Sequence, residues 1–310
     1  MIDPSVDDAT ASRARNTGID WRQSWLGGDE DGQLCAWPPE AAEAVGALPC
    51  DPGCRLALAT SLEPMRAVPA HGGEMISEVR GGERLRGIVR REAWWLVAGE
   101  DGYVGWVHEW VLRELLEELS PPSWHYARPL GTLWVSDHHA ASPLVLGSPL
   151  WPVEGPVPER SGFHLVATAA GDEGWLPETE LWPAVRDVTV RDALNFARTL
   201  LGTPYRWGGR SPLGFDCSGF VQYVARLCGG RLPRDASQQA RAGEEVGMDP
   251  GAWEAGDLLF FGDPADHVAL TDGRGRILHC QGRVRQERID RRQDLADRLT
   301  AVRRWWGSRD

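Results

Sequence analysis

The chain has 310 residues, 42% of them hydrophobic and 25% charged, with 45 acids against 33 bases and a formal net charge of −12. At roughly 100–200 residues per domain this is a multi-domain chain that can bury real cores without disulfide or metal staples, and its hydrophobic content excludes wholesale disorder. No apolar run approaches the roughly 18 residues of a membrane span, and so acidic a chain, in which every base is Arg, is a poor general binder of nucleic acid or anionic membrane.

Residues 1–54 read as an acidic, irregular N-terminal arm containing the run Gly27-Gly28-Asp29-Glu30-Asp31-Gly32. They lack a basic segment followed by an apolar one, so no signal peptide is expected and the expected compartment is the cytoplasm. The six cysteines (Cys35, Cys50, Cys54, Cys217, Cys228 and Cys280) are too dispersed for a disulfide scaffold, and reduced thiols are expected. Cys50 and Cys54 have ligand-like spacing, but no second pair follows, so neither a metal nor another cofactor is expected.

An internal repeat follows. Leu96-Val97 recurs as Leu165-Val166, Gly102 as Gly171, Gly105-Trp106 as Gly174-Trp175 and Leu112 as Leu181, each 69 residues on. Short apolar runs such as Leu85 to Val89, Trp94 to Val97 and Tyr103 to Val107 alternate with Gly-rich turns, which suggests two small β-barrels, near 55–118 and 123–183. A helical turn or two is expected within Glu109 to Leu119, ending before Pro121-Pro122.

From about residue 184 the texture changes. Thr189 and Asp192 fit a capping box ahead of a helical stripe of Val190, Leu194, Ala197 and Leu201, which Gly202 and Pro204 end. A second helix opens at Asp216-Cys217, carries Phe220, Val221, Val224, Leu227 and Cys228 at helical spacing, and stops at Gly229-Gly230. Strand-like runs follow at Asp257 to Phe261, His267 to Thr271, Ile277 to Gln281 and Val284 to Ile289. Helices followed by a strand meander argue for an α+β domain over 184–310.

A thiol at a helix start meets unpaired N–H groups and the positive end of the macrodipole, which should lower its pKa. Cys217 occupies such a place, with Asp216 as the expected N-cap, whereas Cys228 lies on the apolar stripe. A thiolate nucleophile needs a base, and the base an orienting partner. His267 and His279 fall on consecutive strands joined by Asp272-Gly273-Arg274-Gly275. A two-residue loop would turn one ring away. A three-residue loop over 273–275, with Gly275 in the left-handed position, puts both rings on one face as diagonal neighbours, and is the expected geometry.

Tyr205-Arg206-Trp207-Gly208-Gly209, Phe215-Asp216-Cys217-Ser218-Gly219-Phe220, Asp266-His267-Val268-Ala269-Leu270 and Ile277-Leu278-His279 together resemble the NlpC-type murein peptidases, papain-like cysteine peptidases acting on bacterial cell-wall peptides. The resemblance covers roughly 186–305. It implies Cys217 as nucleophile, His267 as general base, His279 as its orienting group and Tyr205 as a hydroxyl beside the nucleophile. The barrels ahead of it resemble tandem bacterial SH3-like domains, and the pair with the peptidase domain resembles the γ-D-glutamyl-L-diamino acid endopeptidases, which implies cleavage of stem peptides with a free N-terminal L-alanine. In that frame Asp216, Ser218, Trp207, Asp235, Ser237, Glu63 and Tyr103 are candidate substrate contacts. Ala236, where the family often has Ser, departs from the pattern. The expected partner is a murein-derived peptide, taken by a monomer in cell-wall peptide recycling. An exported wall hydrolase using the barrels as wall-binding modules, a binding protein with a vestigial catalytic domain, and a thiol acyltransferase or amidase remain alternatives.

Overall fold

The computed structural model describes residues 55–115, 120–136, 139–153, 160–184 and 188–305. The readings of the arm, of Cys35, Cys50 and Cys54, and of residues 116–119 lie outside the described residues.

The first unit comprises β1 (Arg55–Leu58), β2 (Leu62–Arg66), β3 (Met75–Arg80), β4 (Arg84–Arg91), β5 (Trp94–Ala98), β6 (Val104–His108) and β7 (Leu112–Glu114), in the order β3-β2-β6-β5-β4-β1-β7. The second comprises β8 (Trp124–Tyr126), β9 (Leu130–Ser136), β10 (His139–Val145), β11 (Pro149–Pro152), β12 (Phe163–Ala167), β13 (Glu173–Pro177) and β14 (Leu181–Pro183), in the order β10-β9-β13-β12-β11-β8-β14. Each place in the second sheet is thus filled by the strand seven later. The bounds of β5, β6 and β7 recur in β12, β13 and β14 at the offset of the sequence repeat. Physical needs explain the repeated residues. Gly102 and Gly171 hold positive φ (76° and 82°) in the turn between paired strands, a region that costs other residues more. Val97 and Val107, like their counterparts Val166 and Leu176, are buried in the core of their own unit. Both units are β-sheet as expected, but among the described residues no ladder joins the outer strands of either sheet to close a barrel.

Of the helical turn or two expected within Glu109 to Leu119, one forms among the described residues, and Arg113 and Glu114, read as part of it, lie in a strand. Glu109–Val111 make one 3-10 turn, capped by the Nδ1 of His108, which accepts from the Trp110 N–H at 3.2 Å. The chain then extends as β7, because Leu112 to Glu114 complete the sheet against β1.

The C-terminal part begins with α1 (Val190–Thr199), whose Thr189–Asp192 capping box forms as expected. Leu201 lies past the helix end and is 45% exposed. The helix stops where the Gly202 N–H turns to the carbonyl of Val284. A short hairpin, β15 (Arg210–Ser211) and β16 (Gly214–Phe215), leads into α2 (Cys217–Leu227), followed by α3 (Ala236–Gln239) and β17 (Glu244–Val246). The meander is β18 (Ala255–Phe261), β19 (His267–Asp272), β20 (Arg276–Gln281) and β21 (Arg283–Arg288). Then α4 (Gln293–Ala296) precedes β22 (Leu299–Arg304), a strand the sequence reading did not anticipate. The sheet is antiparallel, in the order β17-β22-β18-β19-β20-β21. Strand side chains alternate faces. Leu258, Phe260, Val268, Leu270 and Leu278 accordingly pack with α1 and α2, while Leu259, Phe261, Ala269 and Ile277 pack on the other face with Trp253 and Leu295. The first face holds α2, and with it Cys217, against β19 and β20. The second unit also leans on α2, where the Tyr223 hydroxyl donates to the Leu146 carbonyl at 2.6 Å.

Candidate active site

Asp216 caps α2 by accepting from the Gly219 N–H at 2.6 Å. Its second oxygen accepts from the Gly208 N–H at 3.0 Å, and Arg234 forks onto the carboxylate at 3.1 and 2.5 Å. With the Ser218 hydroxyl also donating to it at 3.3 Å, Asp216 is engaged within the protein, and so clamps the turn before Cys217. The cap carries a cost for the thiol. Burial first, and then the Asp216 charge, push Cys217 up to about 12, against the lowering effect of the Ser218 and Val268 N–H groups and Arg234. The sequence expectation of a lowered pKa is therefore reversed: desolvation outweighs the helix terminus. Cys217 is a neutral thiol whose Sγ faces the Asp266 carbonyl at 3.7 Å. The Asp266 carbonyl and the Val268 N–H that face the sulfur belong to the residues on either side of His267.

The β19–β20 loop is 273–275, with Gly275 at φ 79°, as the three-residue expectation requires. The register Leu270↔Leu278 and Thr271↔Ile277 makes His267 and His279 diagonal neighbours on one face. Nε2 of His267 lies 2.8 Å from Nδ1 of His279, and the rings meet edge to face. Burial lowers His267 to about 3 and His279 below the usual imidazole range, so both are neutral. The sequence reading stopped at His279, but the structure continues. Nε2 of His279 lies 3.1 Å from Oε2 of Glu287 on β21, which Arg292 and Arg285 also contact. The pairing of β20 with β21 through His279↔Arg285 and Ile277↔Glu287 makes Glu287 the diagonal neighbour of His279.

Tyr205 sits beside this group. Burial first, and then the proximity of Cys217 and Asp216, raise its hydroxyl to about 12, so it stays an O–H donor. The segment before the nucleophile is docked on the first unit. Glu78 of β3, fully buried, accepts from Arg206 Nη1 and from the Arg210 N–H, both at 2.7 Å. Trp207, 60% exposed, donates its indole N–H to Glu74 at 2.9 Å. Gly208 has φ 74°, and a Cβ there would stand 2.8 Å from the Met75 carbonyl. Arg234, fully buried, bridges the parts by donating to Ser77 of β3 and to Ser218, both at 3.0 Å. Neither Arg234 nor Glu78 was singled out in the sequence, where nothing marks a charged residue as buried.

A buried thiol at a helix start, set against the backbone next to the first of two coupled imidazoles, can perform nucleophilic acyl chemistry. Residues 202–304 match the family model described as the NlpC/P60 family. These residues form an NlpC/P60 domain. Cys217, His267 and His279 all lie within it. The chain is 32% identical over 184 residues to a protein of Bacillus subtilis (strain 168) named gamma-D-glutamyl-L-lysine dipeptidyl-peptidase, covering 57% of this chain and 60% of that protein. It is 33% identical over 174 residues to a Lysinibacillus sphaericus protein named dipeptidyl-peptidase 6, covering 51% and 62%. The chain thus spans about 60% of the length of these curated relatives. Among solved structures, an NlpC/P60 family protein from Bacillus cereus ATCC 10987 superposes with a TM-score of 0.72 at 20% identity, over 82% of this chain and 100% of that one, which is a likeness of fold.

Around the NlpC/P60 domain the other sequence candidates separate. Tyr103, in the β5–β6 turn of the first unit, is buried and close enough to influence Arg234. Asp235 is the N-cap residue of α3 and also neighbours Arg234 electrostatically; Ser237 is half-buried in the same short helix. Glu63 lies on β2 with Arg66 and His71 as neighbours, and its carboxyl is raised chiefly by burial; the structure does not tie it to Cys217. Among the described residues no group of three or more His, Cys, Asp or Glu could hold a metal ion, and no helix is long and apolar enough to cross a membrane.

Proposed function

We propose that this protein is a cysteine peptidase that cleaves the γ-D-glutamyl–L-diamino acid bond of murein stem peptides bearing a free N-terminal L-alanine, in cell-wall peptide recycling. The observation that carries this reading is the Cys217 sulfur set against the backbone on either side of His267, with His279 at 2.8 Å behind that ring. In the proposed reaction His267 takes the thiol proton and Sγ attacks the γ-glutamyl carbonyl carbon. The oxyanion meets backbone N–H groups at the start of α2 and the protonated Tyr205 hydroxyl. The amine of the diamino acid leaves with the proton held by His267, and water then hydrolyses the thioester, with His267 as base. The relatives named for γ-D-glutamyl-L-lysine peptidase activity support this peptide class.

A buried ammonium needs carboxylate or carbonyl partners. Asp235, with Glu63 as the second acid and Tyr103 as a wall, are the groups proposed to receive the alanine amine; Trp207, Ser218 and Ser237 line the approach. We read the two β units as SH3-like modules, the first of which restricts the cleft. The test is mass spectrometry of products from L-Ala-γ-D-Glu-diaminopimelate, free or N-acetylated. The free peptide should release the diamino acid, the acetylated one should be nearly inert, and Cys217→Ala should cleave neither. No cleavage of either peptide by the wild-type protein would refute the reading. Equal rates on both would favour an exported wall hydrolase. That second reading is supported by an aromatic-lined cavity of about 700 Å³ on the second unit, between Trp134, Phe163, Trp175 and Arg128.

A further inference from the structure

We infer that Glu287 is a positioning residue that sets the tautomers of both imidazoles and thereby leaves Nδ1 of His267 as the basic nitrogen. The inference rests on the reading of His267 as the base of this site. It follows from counting hydrogens along three side chains in series: His267 Nε2, 2.8 Å from His279 Nδ1, and His279 Nε2, 3.1 Å from Glu287 Oε2.

An ionised carboxylate only accepts hydrogen bonds. Glu287 is kept ionised: partial burial works against its charge, but bonds from Arg292 and His279 outweigh burial and lower its pKa. Arg292 is itself fixed, donating to the Gln281 side-chain carbonyl at 2.7 Å and to Asp294 at 2.8 and 2.7 Å. The 3.1 Å contact therefore requires the proton on Nε2 of His279. A neutral imidazole carries one N–H, so Nδ1 of His279 has only a lone pair. The 2.8 Å contact then requires the proton on Nε2 of His267, and the one nitrogen of that ring left with a lone pair is Nδ1.

The opposite arrangement also satisfies the histidine–histidine contact. His279 would carry its proton on Nδ1 and donate to His267 Nε2, and His267 would carry its own on Nδ1, where it cannot take one from a thiol. The two neutral rings have no intrinsic means of choosing between these states. Glu287 decides, because the second state turns the bare Nε2 of His279 towards a carboxylate. When His267 accepts the thiol proton, its Nε2–H still donates to His279 and the chain needs no rearrangement.

The experiment compares wild type, Glu287→Gln and Glu287→Ala in the full chain. Ring-nitrogen NMR of 15N-histidine-labelled protein reads the tautomers, and kcat and KM are measured on L-Ala-γ-D-Glu-diaminopimelate. Wild type should show both histidines as the Nε2–H tautomer. Glu287→Ala should show a mixed population and a kcat lowered at least about tenfold, within the roughly 10²–10⁴ that general acid–base catalysis supplies, with KM little changed. Glu287→Gln, whose amide can accept or donate, should fall between and guards against misfolding. Wild-type His267 protonated on Nδ1, or tautomers and kcat unchanged in both variants, would overturn the inference. If the protein cleaved no such peptide the proposed function would fail, while the nitrogen spectrum would still decide the tautomer.

Discussion

Cys217 and His267 are both neutral in the free protein, because both are buried and neither has a counter-charge strong enough to repay desolvation. The helix start supplies N–H groups to the sulfur, yet the capping carboxylate that makes the helix start there opposes the thiolate. The raised thiol pKa means a smaller thiolate fraction at neutral pH than in a free cysteine of pKa about 8.5. The rate of iodoacetamide modification of Cys217 should therefore be slow at pH 7 and keep rising with pH through about pH 9. A rate independent of pH from about 5 to 8 would instead reveal a preformed thiolate–imidazolium pair. Cys228, packed within the core beside α2, should remain unmodified throughout.

The two β units carry the same strand order on different packing, and one glycine of the repeat shows the difference. A Cβ on Gly105 would meet the Met65 side chain at 2.3 Å, and that flexible chain can move. On Gly174 it would stand 2.6 Å from the Trp134 carbonyl, which the pairing of β9 with β13 holds in place. Gly174→Ala should accordingly cost about 1–3 kcal/mol, the usual range for overpacking, and Gly105→Ala less. Urea midpoints of the two variants measure this directly; equal losses would mean that Met65 is as immovable as the backbone. The same reasoning accounts for the strand that follows the single helical turn of Glu109–Val111. Leu112 is worth more as a strand residue completing the first sheet than as part of an isolated turn, and Leu181 repeats the choice in the second.

Across the whole molecule, the first unit and the NlpC/P60 domain are joined by buried charge. Glu83 pairs with Arg80 at 2.7 Å and, across the junction, with Arg210 and Arg226, both at 3.2 Å; Asp101 and Glu100 complete the cluster. Burial alone would raise Glu83, but the three guanidiniums outweigh it and hold the carboxyl far below the ordinary range. A carboxylate lowered on folding contributes stability that is present above its unfolded pKa, near 4.5, and lost only as pH falls towards the folded value. Glu83→Gln should thus destabilise the protein by about 3–5 kcal/mol at neutral pH, since it leaves buried arginines without their partner. Wild type and variant should converge in strong acid. A variant as stable as wild type at pH 7 would show that Asp101 and Glu100 suffice.

What the sequence determined by itself was local. The Thr189–Asp192 box, the start of α2 at Cys217 and the strand repeat all follow from caps, glycine turns and periodicities that act within a few residues. The three-residue loop that joins His267 to His279 was legible for the same reason, because hairpin register depends on the turn. The tertiary structure alone decided the ionisation of Cys217, since burial is a property of everything packed around the sulfur. It alone decided that Arg234 reaches Ser77 across 157 residues and Arg206 reaches Glu78 across 128. Such pairings depend on two folded surfaces meeting, and no period or cap along the chain records where those surfaces lie.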